Sequence, residues 1–310
     1  LRFLPIPGIG QGRVRQPFST AVLSLFSRLA SVIPPSIAFI VYGDLAQVSV
    51  GALFAAGVIP GIFVALCIAV AVYLHSRKMG YRGEPRGGKE DLWRASKDAL
   101  WALFTPVVIL GGIYGGIFTP TEAAAVAVFY GLFVGVFVYH TINFRVMYEI
   151  LSSTVVGTAV VMIVVTCAGL YSWVGAAVGL IDKAAGVLLG VSADPRVILL
   201  MINIIHLIAG MLLDAISIFY VFLPILLPII AHFGWNPIWF GVMMTVNLAI
   251  GQVTPPVAVN LYVGANISGL TMEQIAKPAI PLIIAAVIAL AFITIFPGIT
   301  TFLPTILKLG

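Results

Sequence analysis

The chain has 310 residues, of which 61% are hydrophobic and 9% are charged, with a net charge of +5. Soluble domains carry about 45–50% apolar and about 25% charged residues, so a mean hydropathy of +1.14 excludes a soluble globular protein. The apolar runs are unbroken, which excludes a membrane barrel with its alternating strands. Composition therefore predicts an all-α polytopic protein embedded in the lipid bilayer.

The first 31 residues are atypical, and candidate membrane segments follow them. The opening stretch is rich in Gly, Pro and Arg, lacks the pattern of a signal peptide, and is assigned no function. Two of the segments, 36–48 and 256–267, are shorter than the about 20 residues needed to cross a bilayer. The candidate segments are 18–33, 36–48, 52–74, 98–117, 120–139, 153–181, 196–214, 216–232, 237–253, 256–267 and 276–303.

Two double prolines, Pro34–Pro35 and Pro255–Pro256, interrupt stretches that are apolar enough to lie in a membrane. Proline lacks a backbone donor and clashes with the preceding turn, so two in succession end a helix. Such a break is tolerated at membrane depth only where it is buried in protein or lines a wet cavity. Interrupted helices at corresponding positions of two halves are typical of the binding site of a secondary transporter.

The two breaks belong to an internal repeat. Residues 32–61 align with residues 253–282 at an offset of 221, with seven identities where chance would give about two or three. We therefore divide the chain into the end of a first repeat (32–74), a polar loop (75–97) and a second repeat (98–310). If the repeats were equivalent, about 120 residues of the first would be missing, so we expect a fragment or a wrongly assigned start.

The polar loop accounts for most of the positive charge. Residues 75–97 contain seven Lys or Arg against three acidic residues. An excess of Lys and Arg in a loop marks the cytoplasmic side of the membrane, so the charge requires no nucleic acid as a partner. Cys67 and Cys167 lie in separate apolar runs and are interpreted as small packing residues.

Two acidic residues stand out among the apolar segments. Glu122 follows Thr119 and Pro120 in a pattern that predicts a capping box, with a buried carboxylate on an ion path as the alternative. Asp214 interrupts an apolar run, where an acid is costly. It would either pair with a helix end or take part in coupling or gating. His206 lies off the Asp214 face and is interpreted as an interhelical hydrogen-bonding group.

Uncharged oxygens supply a candidate cation site. Thr154 and Thr158 are four residues apart, so both hydroxyls share one helical face. Hydroxyls and freed carbonyls are the hard oxygen ligands that an alkali cation accepts. Threonines at this spacing can equally be bonded back to carbonyls of their own helix, and both interpretations remain open.

Several amides surround the second break. They either line a polar vestibule or bridge neighbouring helices, and the sequence leaves both possibilities open. No nucleotide-binding loop, metal-binding cluster or nucleophile elbow occurs in the sequence. The amides are Asn247, Gln252, Asn260 and Asn266.

Four stretches resemble the large membrane subunit of TRAP (tripartite ATP-independent periplasmic) transporters. The resemblance covers about residues 32–303, and the first stretch is its most specific part. The stretches are GGIYGGIFTPTEAAAVAVFYG (111–131), LLDAISIFYVFLPILLPII (212–230), FGVMMTVNLAIGQVTPPVAVNLYV (240–263) and IPPSIAFIVYG (33–43).

The resemblance implies an inverted-repeat, elevator-type transporter with re-entrant hairpins and helices broken at Pro-Pro. It implies a multi-pass protein of the bacterial inner membrane that is not an enzyme and holds no cofactor. Its partners would be a small four-helix membrane subunit and a periplasmic solute-binding protein that delivers an organic acid, with Na⁺ as the coupling ion. Carried over, one sodium site would include Pro34 and Pro35. The second would include Thr154, Thr158, Gly251, Thr254 and Pro255.

Asn260 joins Glu122 and Asp214 as a polar residue with a gating or structural role. Residues 1–31 show neither the Ser/Gly-rich hairpin nor the Gly-rich approach that the family has before its first double proline. Two alternative functions remain: an inverted-repeat anion carrier that works without a binding protein, and a membrane scaffold that transports nothing. The double break disfavours the scaffold, which needs no unwound backbone in the membrane.

Overall fold

The computed structural model describes residues 14–81 and 88–309, and all regular structure in these residues is helical. A π-helical turn, Val134–Val138, continues the fifth helix. The α-helices are α1 (Gln16–Leu29), α2 (Ile37–Ala46), α3 (Val50–Lys78), α4 (Lys89–Tyr114), α5 (Pro120–Phe133), α6 (Phe144–Ala177), α7 (Leu180–Val191), α8 (Pro195–Leu212), α9 (Ala215–His232), α10 (Pro237–Gly251), α11 (Val259–Ser268), α12 (Met272–Ile295) and α13 (Gly298–Ile306).

Seven helical segments in the described residues are long and apolar enough to cross a membrane. They are α3, α4, α5 with its π-helical turn, α6, α8, α9 and α12. The predicted all-α polytopic membrane protein is thereby confirmed. The two predicted half-segments are also short: α2 and α11 have 10 residues each, about 15 Å of helix, which is half the thickness of a hydrocarbon core.

The helices form two compact units. The large unit contains the described residues up to Glu84 and those from Ala168 onward, and the small unit contains those from Pro85 to Cys167. α6 runs from the small unit into the large one. Both double-proline breaks lie in the large unit, so the predicted repeats and the compact units divide the chain differently.

The order of elements in the large unit recurs. α1, a seven-residue break (30–36), α2 and the long α3 are followed later by α10, a seven-residue break (252–258), α11 and the long α12. Both Pro-Pro peptide bonds are cis. The second half-helices begin at Ile37 and Val259, an offset of 222, which is within one residue of the offset read from the sequence.

The two broken helices lie antiparallel, so that each half-helix of one packs against the opposite half of the other. At one end, the Gln16 side-chain amide donates to the Ser268 carbonyl at 3.0 Å, which joins the start of α1 to the end of α11. At the other end, the Tyr42 hydroxyl donates to the Pro237 carbonyl at 2.7 Å, which joins α2 to the start of α10. Both breaks therefore lie at the middle of the same pair.

Some element boundaries differ from the sequence prediction. The helix α3 continues to Lys78 and α4 begins at Lys89, so both ends of the predicted polar loop are helical. Residues 82–87 of that loop lie outside the described residues. The segment at 153–181 belongs to two helices, because Gly179 takes a positive φ of 67° between α6 and α7. The predicted boundary after residue 31 falls inside the first break. Residues 1–13 of the segment before it lie outside the described residues.

Candidate functional site

A cavity of about 420 Å³ in the large unit lies where the two breaks meet. We call it the inter-break cavity. Its walls come from the end of α1, both breaks, and the first residues of α2, α9 and α11. Its polar lining consists of the side chains of Arg28, Ser31, Ser36, Asp214, Gln252 and Asn260, and Pro35 of the first break also lines it.

Three helices begin at the wall of the inter-break cavity. α2 begins after Ser36, whose hydroxyl accepts from the Phe39 amide at 3.4 Å. α9 begins after Asp214, and α11 begins after Ala258, which supplies no side-chain cap. The first amides of a helix have no partner within it and carry the positive end of the helix dipole. Asp214 and Ser36 already accept from amides of α9 and α2, so α11 is the start at which the cavity offers amides without a side-chain cap to a negatively charged group.

Asp214 caps α9, which is one of the two roles that the sequence left open for it. Its Oδ2 accepts from the amides of Ile216 and Ser217 at 2.9 and 3.1 Å, and its Oδ1 accepts from the Ser217 hydroxyl. The carboxylate also faces the inter-break cavity. The cap explains how an apolar run accommodates an acid, because the helix end stabilises the negative charge.

Two other side chains at the inter-break cavity carry unused donors. Gln252, the residue after α10, is 3% exposed, and its Nε2 has no hydrogen-bond partner among the described residues. Arg28, in the last turn of α1, has a buried Nε that is likewise without a partner there. Arg28 forms no salt bridge among the described residues, since no carboxylate oxygen there lies within 4 Å of its guanidinium. The salt bridge found in these residues joins Arg145 to Glu149. Sequence reasoning missed Arg28, because it assigned no function to the segment before the first break.

The second break leaves carbonyl groups free. The Thr254 hydroxyl donates to the Ile250 carbonyl at 2.7 Å, and the Asn260 amide donates across the break to the Gln252 carbonyl at 3.2 Å. In the described part of the chain, no hydrogen bond reaches the carbonyls of Val253, Thr254 or Pro255. These are oxygens of the kind that an alkali cation accepts.

The first break is held by a local bond. The Ser36 hydroxyl donates to the Ser31 carbonyl, so Ser36 closes the loop that contains Pro34 and Pro35 and also caps α2. Pro35 lines the inter-break cavity, whereas Pro34 is buried behind it. Pro35 of the first predicted sodium site thus lies at the same cavity as Gln252 of the second break, while the two sodium sites themselves stay predictions.

The other predicted residues lie in the small unit. The Thr154 hydroxyl donates to the Ile150 carbonyl of its own helix at 2.8 Å, as in the second interpretation of the sequence. Thr158 lies one turn later on the same helix, α6. The second break belongs to the large unit, and its pairing with these threonines stays a prediction.

Glu122 forms the predicted capping box at the start of α5. Its carboxylate accepts from the Thr119 amide at 2.8 Å, and its own amide donates to the Thr119 hydroxyl at 3.3 Å. Pro120 occupies the first helical position. The predicted capping box of Glu122 is therefore confirmed, and the role of Glu122 in transport stays a prediction.

Two predictions about polar side chains in α8 and α10 have different outcomes. Asn247 bridges helices, since its Nδ2 donates to the Asn203 carbonyl and side-chain oxygen, each at 2.8 Å. His206 was expected to bond between helices, and this is wrong: its Nδ1 contacts the Ile202 carbonyl of the same helix at 2.7 Å. The His206 ring instead lies 5.4 Å from the ring of Phe222 in α9.

A larger cavity, of about 670 Å³, lies among α8, α10 and α12. Its lining is mainly Leu, Ile, Val and Ala, with Arg196 and Asn247 among the few polar residues. Among the residues that the structure describes, no helix break and no convergence of helix starts opens onto it. This cavity is larger than the inter-break cavity, but its lining is mainly apolar. The inter-break cavity has the polar side chains and helix starts expected of a transporter site, so it is the candidate site.

Taken together, the apolar helices and the paired breaks define a multi-pass membrane protein with a polar cavity between interrupted helices. The family described as "Tripartite ATP-independent periplasmic transporter, DctM component" matches residues 6–299. The chain belongs to this family. The match includes both breaks, and it begins within the N-terminal segment to which the sequence analysis assigned no function.

Curated relatives cover nearly the whole chain. The isethionate TRAP transporter permease of Oleidesulfovibrio alaskensis is 39% identical over 96% of the chain and 47% of its own length. The sialic acid TRAP transporter large permease of Vibrio cholerae is 34% identical over 97% of the chain and 70% of its own length. The C4-dicarboxylate large permease of Pseudomonas aeruginosa is 34% identical, with the same two coverages. The chain thus spans about half the length of the first relative and 70% of the other two.

Proposed function

We propose that the chain is the transport part of a sodium-coupled importer of organic acids in the bacterial inner membrane. The observation that carries the proposal is the inter-break cavity, where two antiparallel interrupted helices meet and three helix starts converge. Helix starts directed at a cavity stabilise an anion, and interrupted helices supply such starts inside a membrane. Relatives named for isethionate, sialic acid and C4-dicarboxylates support an acidic substrate.

The transport mechanism in this proposal is of the inverted-repeat, elevator type. The recurring order of elements and the antiparallel pairing of the broken helices support an inverted repeat. In such carriers one body moves against another while the substrate site stays intact between the repeats. Binding-protein dependence and a small membrane subunit belong to the proposal through the tripartite family description.

Sodium would bind at the breaks. The free carbonyls from Val253 to Pro255 support a site at the second break, with Gly251 and Thr254 beside it. Thr154 and Thr158 are the further residues that we propose for this site. A cation can drive transport only through the difference between its affinities for the two states of the carrier, so weakening the site should change the sodium dependence.

The decisive experiment is uptake of labelled acids into proteoliposomes that contain this chain with its small subunit and binding protein. We expect uptake under an inward sodium gradient and loss of uptake when choline replaces sodium. Thr158→Ala should raise the sodium concentration that gives half-maximal uptake, whereas Thr166→Ala, further along α6, should leave it unchanged. Uptake that is indifferent to sodium would refute the coupling, and uptake without the binding protein would favour the binding-protein-independent carrier.

A further inference from the structure

The cavity of about 670 Å³ is a groove between α8 and α12, both of which pack against α10. We call it the lateral groove, and it is lined mainly by residues 196–207 of α8 and 287–295 of α12. Its apolar walls are open, because Leu200, Ile204 and Ile295 are 61%, 49% and 67% exposed. α8 and α12 are both long and apolar enough to cross a membrane, so these walls meet hydrocarbon rather than water.

The lateral groove has the depth of one leaflet of a bilayer. Its inner end is at mid-membrane, since Leu207 lies against Gly251, the last residue before the second break. Arg196, at the other end, is 11 residues before Leu207, which is about 16 Å of helix. One leaflet contributes about 15 Å of hydrocarbon to the membrane core. The groove therefore extends from the surface of the core to its middle.

Arg196 lies at the level of the lipid headgroups. Asn203 Nδ2 is 3.4 Å from Met243 Sδ, so α8 and α10 run side by side, and Arg196, seven residues earlier, is level with the start of α10. At that start, Trp235 stacks on two phenylalanine rings, 4.9 and 6.0 Å away. Tryptophan is enriched where membrane and water meet, and an arginine near a helix end reaches the same layer.

The Arg196 guanidinium is available to a phosphate group. Arg196 is exposed, and among the described residues no carboxylate oxygen lies within 4 Å of its guanidinium. Asp194, two residues earlier, caps α8: its Oδ1 accepts from the Arg196 amide at 2.8 Å, and Asp194 does not line the groove. A guanidinium binds phosphate oxygens through parallel N–H bonds, which makes arginine well suited to this group.

Below Arg196, the lateral groove is suited to hydrocarbon. The Asn247 side-chain amide donates to the Asn203 carbonyl and side-chain oxygen, each at 2.8 Å. The Thr294 hydroxyl donates to the Leu290 carbonyl at 2.8 Å. These donors are therefore already used within the protein. A hydrocarbon chain takes no partner from them, whereas a polar ligand would lose its water without gaining their hydrogen bonds.

We propose that the lateral groove binds one phospholipid of the membrane, with its phosphate at Arg196 and one acyl chain between α8 and α12. A charge at the headgroup level, apolar walls below it and a depth of one leaflet match this ligand. A water-soluble organic acid would leave most of the groove unfilled. The lateral groove is separate from the inter-break cavity, so the inference goes beyond the proposed function.

The test is a lipid titration of the full chain, stripped of bound lipid in detergent and followed by native mass spectrometry. The probes are dioleoyl phosphatidylglycerol, dioleoylglycerol, which has the same chains without the phosphate, and glycerophosphate, which has no chains. We expect one phosphatidylglycerol per chain to bind at concentrations about tenfold or more below those that either partial probe requires.

Variants assign the binding to the lateral groove. Arg196→Gln should weaken phosphatidylglycerol binding about tenfold and leave dioleoylglycerol binding unchanged. Ala291→Phe fills the groove and should weaken the binding of both. Arg145→Gln, at an exposed arginine of α6, and Ile288→Phe, at an exposed position of α12 outside the groove lining, should bind both lipids like the unmodified chain. Unfolding temperatures verify that each variant is folded, and Ala291→Leu replaces Ala291→Phe if the latter is not.

Three results of the titration overturn the inference. It fails if dioleoylglycerol binds as tightly as phosphatidylglycerol, if Arg196→Gln binds phosphatidylglycerol like the unmodified chain, or if filling the groove leaves lipid binding unchanged.

A labelling experiment detects a protein segment in the lateral groove. With Cys67 and Cys167 replaced by Ala, Ile295→Cys at the open end of the groove should react with N-ethylmaleimide in lipid-free micelles. Added phosphatidylglycerol should slow the reaction. A thiol that stays unreactive without lipid would show that a part of the chain covers the groove, and this would also overturn the inference.

Discussion

At the scale of single residues, the capping box of α5 separates a structural from a charge-dependent role of Glu122. Glu122→Gln keeps an acceptor for the Thr119 amide, so we expect unchanged hydrogen-exchange protection at the Glu122 and Ala123 amides. Thr119→Ala removes the hydroxyl that accepts from the Glu122 amide and should destabilise the first turn by about 1 kcal/mol. Thr121→Ala is the control. A Glu122→Gln variant that folds normally but abolishes uptake would instead show that the charge is required.

A second residue-scale prediction concerns the contact between α8 and α10. A methyl group added at Gly251 would lie 2.7 Å from the Cα of Gly210 and 3.1 Å from the Leu207 carbonyl, so the helices must separate. Gly251→Ala should therefore reduce the free energy of unfolding by about 1–3 kcal/mol. Gly186→Ala, at an open position of α7, should be neutral or stabilising by at most about 1 kcal/mol. Denaturant unfolding in micelles measures both, and equal stabilities would contradict the close contact.

The sequence predicted these features unequally, for physical reasons. Capping at Thr119–Glu122 and the breaks at Pro34–Pro35 and Pro255–Pro256 are local: the residues that make each feature are neighbours in the chain. The bond partner of His206 and the unused donors of Arg28 and Gln252 depend on which helices pack together. No local pattern reports that, so sequence reasoning reached the breaks but not the side chains that converge between them.

At the scale of elements, the break after α10 should depend on its two prolines. Replacing Pro255 and Pro256 with Ala restores two amide donors and removes the steric barrier to helix. We expect α10 to extend toward α11, with slower hydrogen exchange at the backbone amides of the break in nanodiscs. Pro281→Ala is the matched control, because Pro281 lies inside the unbroken α12. A double variant whose break amides exchange as fast as those of the unmodified chain would show that packing around the break, rather than proline, maintains it.

At the scale of the whole molecule, the basic residues after α3 predict the orientation in the membrane. α3 has 29 residues, about 43 Å of helix, so its two ends lie on opposite sides of a bilayer. The basic residues after α3 place that end in the cytoplasm, and Asp44, near the start of α3, should face the periplasm. With Cys67 and Cys167 replaced by Ala, Asp44→Cys should react with an impermeant maleimide on intact cells. Met79→Cys should react only after permeabilisation, and the reverse pattern would contradict this orientation.

The antiparallel pairing of the two broken helices also has a consequence for synthesis of the protein. Gln16 bonds to a residue 252 positions later, and Tyr42 to one 195 positions later. At about 5–20 residues per second, a ribosome needs roughly 10–50 s to make the intervening chain. During that interval the first break has left the ribosome, but the helix that will cover it does not yet exist. Insertion of this protein therefore requires that the exposed carbonyls of the first break stay near water, or in the insertion machinery, until α10 and α11 arrive.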